Sequence, residues 1–245
     1  MANHEGLHGK AKTKPPNVKR ALICVADGVD FIDVCAAKSI LTKCAMRVFI
    51  CSVGESRNFK SEDGTGMVAD LCFGLQATKS PQSSAHQGDE QVDVDTVGDE
   101  DVLEGTWDAI LLPGGTTGTV NLWRSEKLVD MLWDSYQQSD AVIAASGASV
   151  VNVLLPKGLI DGVAVTTARD LAFKLPFQPS LKQRVVVSRP HGDEVFAKIV
   201  TSQGCGVSIE WALSTALQVC PKAQVLKVAK RLPCMEFVKA NRPSS

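Results

Sequence analysis

Ser146 is the side chain whose position along the chain first suggests chemistry. It ends a continuously apolar run, residues 141–145, of the kind that forms a strand buried on both faces. Gly147 and Ala148 follow, and the apolar residues after them have helical spacing. A strand, a small-residue turn and a helix form a tight elbow, which lifts one side chain to the carboxyl edge of a sheet. The pattern predicts Ser146 as a candidate nucleophile with Gly147 in its pocket; a plain strand-to-helix turn is the alternative.

Two further segments place polar or glycine residues directly after apolar runs. Asp30 and Asp33 follow the first run of the chain, and Gly114 and Gly115 end a later one. Because the carboxyl ends of parallel strands share one edge of a sheet, we expect these residues beside Ser146. The glycine N–H groups are predicted to face a developing oxyanion, and a carboxylate to hydrogen-bond the serine. Both aspartates also fit the first turn of a helix, where carboxylates cap free N–H groups without any chemistry.

Apolar runs alternate with helical patterns along most of the chain, which predicts an α/β fold with a mainly parallel, doubly wound sheet. Predicted strands cover residues 21–26, 47–53, 67–73, 107–112, 141–146, 163–167, 185–187 and 196–200. Predicted helices cover about 31–44, 121–137, 148–155, 204–217 and 221–231. The last two strands face each other across a Pro-Gly turn, which predicts a small antiparallel hairpin.

The composition is that of an ordinary globular protein. The chain has 245 residues, 44% of them hydrophobic and 22% charged, and its net charge of −1 argues against a nucleic-acid partner or an acidic membrane surface. Eight cysteines form no C-x-x-C pair and most lie in apolar runs, as in proteins of a reducing compartment. The N-terminus lacks the apolar segment of a signal peptide, so we expect a cytoplasmic protein. No motif indicates a cofactor or a metal site.

One core domain is expected at residues 19–232, between a polar basic tail at 1–18 and a C-terminal tail at 233–245. Residues 76–104 interrupt the domain with eight Asp or Glu, one Lys and few large apolar residues. Such a stretch buries too little apolar surface to order itself, so we predict a flexible acidic insertion. Its aspartates lack the Gly and Glu placement of an EF-hand, which favours a solvated loop over a calcium site.

Several motifs together resemble the DJ-1/PfpI (ThiJ) superfamily, which shares its fold with class I glutamine amidotransferases. They are KRALI at 19–23, DAILLPGG at 108–115, the elbow, GVAVTT at 162–167 and TSQGCGVSIEWA at 201–212. The resemblance covers about 19–220 and is closest to the Parkinsonism-associated branch. It implies a flavodoxin-like three-layer α/β/α sandwich, a homodimer, and a role in oxidative and reactive-carbonyl stress. Glyoxalase, deglycase and chaperone activities are implied by the same branch.

Three positions that carry the family's chemistry are changed in this chain. The family's elbow holds a nucleophilic Cys, supported by a Glu of the first helix, with a His nearby. Matching by motif puts Ser146 at the Cys position, Asp33 at the Glu position and Ala168 at the His position. A thiol at an elbow ionises near neutral pH, whereas a serine hydroxyl attacks only when a general base removes its proton. None of the four histidines is expected to reach Ser146, and Asp33 is a poor base for an alcohol.

Cys205 is the remaining candidate for reactivity, because it lies between two glycines at the start of a helix whose dipole lowers a thiol pKa. Packing is the alternative role, and Cys35 is expected on the buried face of the first helix.

The sequence supports three hypotheses about function, ranked in this order. The first is a divergent stress-class homodimer that lacks the Cys chemistry and binds a small carbonyl-type ligand. The second is a Ser146-dependent enzyme on small carbonyl or acyl substrates, and the third is a redox sensor through Cys205.

Overall fold

The computed structural model describes residues 18–74, 102–103, 105–138, 140–190 and 195–232. The predicted C-terminal tail, the N-terminal tail up to residue 17 and most of the predicted acidic insertion lie outside these residues. At the end of that insertion, Val102 and Leu103 are helical and Leu103 is buried.

A seven-stranded sheet is the centre of the fold. The strands of the chain are β1 (Arg20–Val25), β2 (Arg47–Ser52), β3 (Asn58–Lys60), β4 (Gly66–Val68), β5 (Leu71–Cys72), β6 (Ala109–Leu112), β7 (Val142–Ser146), β8 (Val185–Ser188) and β9 (Lys198–Ser202). The sheet has the order β5-β2-β1-β6-β7-β9-β8, and only β8 and β9 pair antiparallel. The predicted α/β fold, with its mainly parallel sheet and small antiparallel hairpin, is therefore confirmed. β3 and β4 form a separate two-stranded sheet.

Helices cover both faces of this sheet. They are α1 (Phe31–Lys43), α2 (Thr116–Arg124), α3 (Glu126–Tyr136), α4 (Ser208–Val219) and α5 (Lys222–Ala229). α1 packs on α4, and α2 packs on α3. The connections from β1 to β2 and from β6 to β7 run in opposite directions across the sheet. Because such crossovers are right-handed, α1 and α4 lie on one face of the sheet, and α2 and α3 lie on the other.

The central strands are apolar on both sides because both of their faces are covered. Leu22, Ile23, Leu111 and Ile143 have no exposed surface, and each fully buried side chain of this size contributes roughly 1.5–3 kcal/mol. This burial explains why the continuous apolar runs could be predicted as strands.

Three predicted elements differ from the structure. The helix expected at 121–137 is divided at Ser125, whose side chain accepts a hydrogen bond from the Leu128 N–H and starts α3. The strand expected at 67–73 is two short strands, β4 and β5, that belong to different sheets. Residues 163–167 form no strand, because both edges of β9 are already taken by β7 and β8. The Thr166 N–H instead donates to Thr201 Oγ1 at 3.0 Å.

Gly118 lets α2 approach the loop after β1, and this predicts a destabilising substitution. A Cβ atom on Gly118 would lie 2.4 Å from the Val29 nitrogen and 2.5 Å from the Gly28 carbonyl carbon. Gly118→Ala is therefore expected to cost about 1–3 kcal/mol of unfolding free energy, although Ala in an unconstrained helix gains about 1 kcal/mol over Gly. Chemical denaturation measures the change. Gly66→Ala is the control, since a Cβ there meets nothing within 4 Å; equal effects of the two variants would contradict the packing argument.

Candidate ligand site at the strand-to-helix elbow

The candidate site lies at the carboxyl edge of the sheet, where β1, β6 and β7 end side by side. From β1 the chain continues to β2 on one side, and from β6 to β7 on the other, so the strand order reverses between β1 and β6. In open α/β sheets ligands bind in the crevice at such a switch point. The loops after β1 and β6 are joined there, because the Asp30 N–H donates to the Gly114 carbonyl at 2.9 Å.

Gly147 is the residue that turns the chain at the elbow. It has a φ of +49°, in the left-handed region that favours glycine, and residues 148–149 already begin the short helix that continues through Val150–Leu154. Its N–H donates to the Ser202 carbonyl at 2.9 Å, and its carbonyl accepts from Thr167 Oγ1 at 2.9 Å. The apex of the elbow is therefore held rigidly, and it carries no side chain.

Ser146 lies one residue before the apex, as the last residue of β7, and has no exposed surface. Ser202 Oγ donates to Ser146 Oγ at 3.0 Å, and the Ser146 hydroxyl also hydrogen-bonds the carboxyl group of Asp33. The structure thus differs from the expectation that this side chain rises to the open edge. The Ser146 side chain instead lies inside the protein, between Ser202 and Asp33.

Asp33 is fully buried beneath the elbow. The Gly114 N–H donates to its Oδ2 at 2.9 Å, and Ser208 Oγ lies 2.5 Å from its Oδ1. Burial raises the pKa of Asp33 above its ordinary value, although hydrogen bonds from Ser208, Gly114 and Ser146 oppose the shift. The proximity of Asp30 raises this pKa further.

Ser208 holds the carboxyl group of Asp33 from the side of α4. Its Oγ donates to Asp33 Oδ1 and also lies 2.8 Å from the Cys205 carbonyl oxygen. The site therefore contains a buried carboxyl group with several hydrogen-bond partners, and its raised pKa favours the neutral form.

The three glycines predicted to form an oxyanion pocket meet at this point but are not equivalent. The N–H of Gly114 is used by Asp33, and that of Gly147 by Ser202. Gly115 has a φ of +100° and caps the start of α2, and a Cβ there would lie 2.3 Å from the Gly28 carbonyl oxygen. The glycines therefore allow close backbone packing around Asp33, and two of their N–H groups are not available to an oxyanion.

Ala168 lies beside the elbow, because the preceding Thr167 hydrogen-bonds the Gly147 carbonyl. It is half-buried and begins the turn Arg169–Lys174. Its methyl group offers no proton donor or acceptor at the position where the resemblance implies a His. All four histidines of the chain lie outside the described residues, and within those residues no cluster of His, Cys, Asp or Glu could hold a metal ion.

Cys205 is exposed at the rim of the site, in the turn Cys205–Val207 that precedes α4. Partial desolvation raises its pKa, and so do a hydrogen bond with Asp30 and the negative charge of Asp30. The thiol form is therefore favoured at neutral pH, which argues against the redox-sensor hypothesis.

Cys35 is also exposed, so its predicted place on the buried face of α1 is wrong. The helix buries Asp33, Val34 and Ala37 instead.

Asp30→Asn is expected to speed the alkylation of Cys205. The substitution removes the carboxylate that holds the thiol protonated, while an Asn side chain retains the N-cap that Asp30 provides to α1. The rate of iodoacetamide labelling, followed by peptide mass mapping across a pH series, should show the Cys205 profile displaced to lower pH. Cys35 is the internal control, and an unchanged Cys205 profile would contradict the role given to Asp30.

Comparison with known proteins places this architecture in a family. The sequence profile of the DJ-1/PfpI family matches residues 19–218. The chain belongs to the DJ-1/PfpI family. It is 25% identical over 209 residues to Protein DJ-1 homolog B of Arabidopsis thaliana, covering 85% of this chain but 40% of that protein. It is 24% identical over 218 residues to Protein dj-1beta of Drosophila melanogaster, covering 87% of this chain and 96% of that protein. The chain thus spans less than half the length of the Arabidopsis relative.

Solved DJ-1 structures share the fold of this chain. Oxidized Toxoplasma gondii DJ-1 superposes with a TM-score of 0.70 at 24% identity, over 88% of this chain and 98% of that one. Drosophila melanogaster DJ-1beta superposes with a TM-score of 0.67 at 22% identity, over 88% and 97% of the two chains. These likenesses support the flavodoxin-like α/β sandwich. Among the described residues, no helix is long and apolar enough to cross a membrane.

Two features of the DJ-1/PfpI site in this chain were missed by sequence reasoning. Gly147, rather than Ser146, has the left-handed backbone of the elbow apex, and a glycine after a buried strand was the available signal for it. Ser208 hydrogen-bonds Asp33, and Ser202 hydrogen-bonds Ser146. No signal in the sequence marked either residue, because each is distant along the chain from its partner; Ser208 and Asp33 are 175 residues apart.

Proposed function

We propose that this chain is a DJ-1/PfpI-family protein of the oxidative and reactive-carbonyl stress class that binds a small carbonyl-type molecule without forming a covalent bond to it. The observation that carries the proposal is the bare elbow apex at Gly147. A glycine at the apex presents no thiol or hydroxyl that could attack a bound molecule.

The chemistry beneath the apex supports reversible binding rather than catalysis. Asp33 is buried and its raised pKa favours the neutral acid, and Ala168 offers no exchangeable proton. A general base must be deprotonated and within reach of the proton it abstracts. Neither residue meets that requirement, so recognition would depend on shape and on hydrogen bonds from the backbone.

Binding of hydroxyacetone, a small carbonyl compound that does not label proteins rapidly, tests this proposal. We expect saturable binding by calorimetry, and we expect Ala168→Leu to abolish it by filling the space beside the elbow. Lys174→Leu, at the far end of the same turn, is the matched control and should bind as the wild type does. Absence of saturable binding, or equal binding by both variants, would refute the proposal.

A Ser146-dependent enzyme is the second candidate function. The hydrogen bond between Ser146 and Asp33 favours it, because it joins the elbow hydroxyl to a carboxyl group. It requires Ser146 to leave its enclosed position and Asp33 to lose its proton. Labelling of Ser146 by a fluorophosphonate probe is the outcome that would replace the first proposal with this one.

We also propose that the protein forms a homodimer through the surface beside the site. Ile32 is 54% exposed near the start of α1 and Ile209 is 38% exposed near the start of α4, and these two helices pack on each other. Exposed apolar side chains on two neighbouring helices offer a surface that a second copy could cover. Cys24, Cys35, Cys44, Cys205 and Cys220 are free thiols, which supports a reducing compartment such as the cytoplasm.

Ile32→Glu is expected to weaken the dimer at least tenfold, because it places a charge in the apolar patch. Sedimentation velocity over a concentration series measures the shift toward monomer. Val68→Glu, at an exposed valine of the small β3-β4 sheet, is the control. A wild-type protein that is monomeric throughout the series would contradict the dimer proposal.

A further inference from the structure

Two cysteines meet at the end of α1 and α4 that lies away from the elbow. Cys44 is the C-cap of α1 and Cys220 is the C-cap of α4, and these two helices pack on each other. Asp33 and Ser208, which belong to the elbow site, lie near the start of the same helices. Eleven residues separate Asp33 from Cys44, which corresponds to roughly 17 Å of helix. The cysteine pair is therefore separate from the elbow site.

The thiol of one cysteine contacts the main chain of the other. Cys220 Sγ donates to the Cys44 carbonyl oxygen at 3.6 Å, although the two residues are 176 positions apart in the sequence. Gln224 Nε2, from α5, donates to the same carbonyl. A disulfide joins residues whose Cα atoms are less than about 7 Å apart, and a thiol that contacts the other residue's main chain lies in that neighbourhood.

The backbone at Cys44 is held in place by the way α1 ends. The next residue, Ala45, has a φ of +56°, in the left-handed region, and its N–H donates to the Thr42 carbonyl at 2.9 Å. The Met46 N–H donates back to the Leu41 carbonyl at 3.1 Å. These bonds satisfy carbonyl groups that the end of a helix leaves without partners. The chain therefore reverses sharply after Cys44, and the cysteine stays against α4.

Both thiols are enclosed, but Cys220 lies nearer the surface. Cys44 is 1% exposed and Cys220 is 9% exposed, and both belong to the main hydrophobic core. Burial, together with the nearby Cys220, raises the pKa of Cys44 to about 11. Burial and Asp108 also raise the pKa of Cys220, whereas the Lys19 ammonium group lowers it. Cys220 is therefore the thiol that a small oxidant meets first, and Cys44 is the partner beside it.

We propose that Cys44 and Cys220 form an intramolecular disulfide when the protein is exposed to hydrogen peroxide. The Cys220 thiolate attacks one peroxide oxygen, the O–O bond breaks, and hydroxide leaves, so that Cys220 becomes a sulfenic acid. The Cys44 thiolate then attacks Cys220 Sγ; the S–S bond forms, the S–O bond breaks, and a second hydroxide leaves. The two sulfurs lose two electrons to the peroxide, and the two thiol protons convert the hydroxides into two water molecules. Proximity, rather than acidity, selects this pair.

Oxidation of the full-length protein with hydrogen peroxide, followed by non-reducing peptide mass mapping, tests the proposal. The reaction is run at mildly alkaline pH, because the thiolate is the reactive form. We expect two peptides linked through Cys44 and Cys220, which dithiothreitol separates. The proposal would be overturned if both remained unlinked thiols after the exposed Cys35 and Cys205 had been oxidised. A link from either residue to a different cysteine would overturn it as well.

Thermal melts of the oxidised protein measure the effect of the bond. A disulfide across 176 positions restricts the unfolded chain, so we expect the oxidised wild type to melt at least about 5 °C above its reduced form. Cys220→Ser should show no such rise, whereas the matched control Cys205→Ser should rise as the wild type does. Melts of the reduced variants establish that both are folded. An equal rise in Cys220→Ser, or no rise in linked wild-type protein, would contradict a disulfide that fits the native fold.

Discussion

Gly147→Cys is expected to create the fastest-reacting thiol of the protein. The apex of the elbow directly precedes residues 148–149, where the short helix begins. N–H groups at the start of a helix stabilise a thiolate, and the raised pKa of Asp33 below favours its neutral form, which opposes the thiolate less than a carboxylate would. We expect iodoacetamide to label the introduced thiol about tenfold faster than Cys205 at neutral pH, because the carboxylate of Asp30 suppresses ionisation of Cys205.

Ser146→Cys is the matched control for this prediction. It places the same functional group one residue earlier, in the fully enclosed position between Asp33 and Ser202, so we expect slow labelling. A Cβ at residue 147 would lie 3.2 Å from the Gly204 Cα, and the left-handed φ adds strain of about 1 kcal/mol, so a thermal melt of each variant belongs to the experiment. Faster labelling of Ser146→Cys would show that residue 146, not 147, is the functional apex.

Asp33→Asn is expected to stabilise the protein at neutral and alkaline pH. The pKa of Asp33 is higher in the folded than in the unfolded state, so folding retains a proton that the unfolded chain releases above about pH 4. The stability of the wild type therefore falls as the pH rises from about 4 through the folded pKa. An Asn side chain stays neutral, accepts from the Gly114 N–H and donates to Ser208, so it keeps both contacts without this loss.

Thermal melts of both proteins across a pH series measure the difference. We expect equal stability near pH 4 or below, and a melting temperature higher by roughly 3 °C or more for Asp33→Asn at pH 8. Asp170→Asn, at an exposed position, controls for the loss of one negative charge. A variant that is less stable than the wild type at pH 8 would show that Asp33 is ionised in the folded protein.

Much of the fold could be predicted because a strand that is buried on both faces is apolar along its whole length, and this pattern is visible in the local sequence. Both faces of β1, β6 and β7 are covered, and continuous apolar runs reveal each of them. Residues 163–167 have the same Val and Thr content as a strand, yet they form none. Whether they pair depends on whether β9 has a free edge, and that is decided by β8 in another part of the chain.

The candidate site could be located from the sequence but not resolved to its atoms. The order of strand, small residues and helix identified the elbow, and the first helix supplied Asp33. The register of the turn was uncertain by one residue, because Ser146 ends the strand and Gly147 turns the chain, and both are small. The partners of Asp33 come from distant segments, so the direction of its pKa shift follows only from the folded structure.

The central claim is that the elbow of this protein carries no nucleophile, and consumption of methylglyoxal tests it most directly. The measurement compares the wild type with Ser146→Ala and counts the equivalents of product formed per protein. We expect both proteins to remain at the blank rate, because residue 147 has no side chain and Ser146 is enclosed. Multiple turnovers by the wild type that disappear in Ser146→Ala would contradict this account and make Ser146 the catalytic residue.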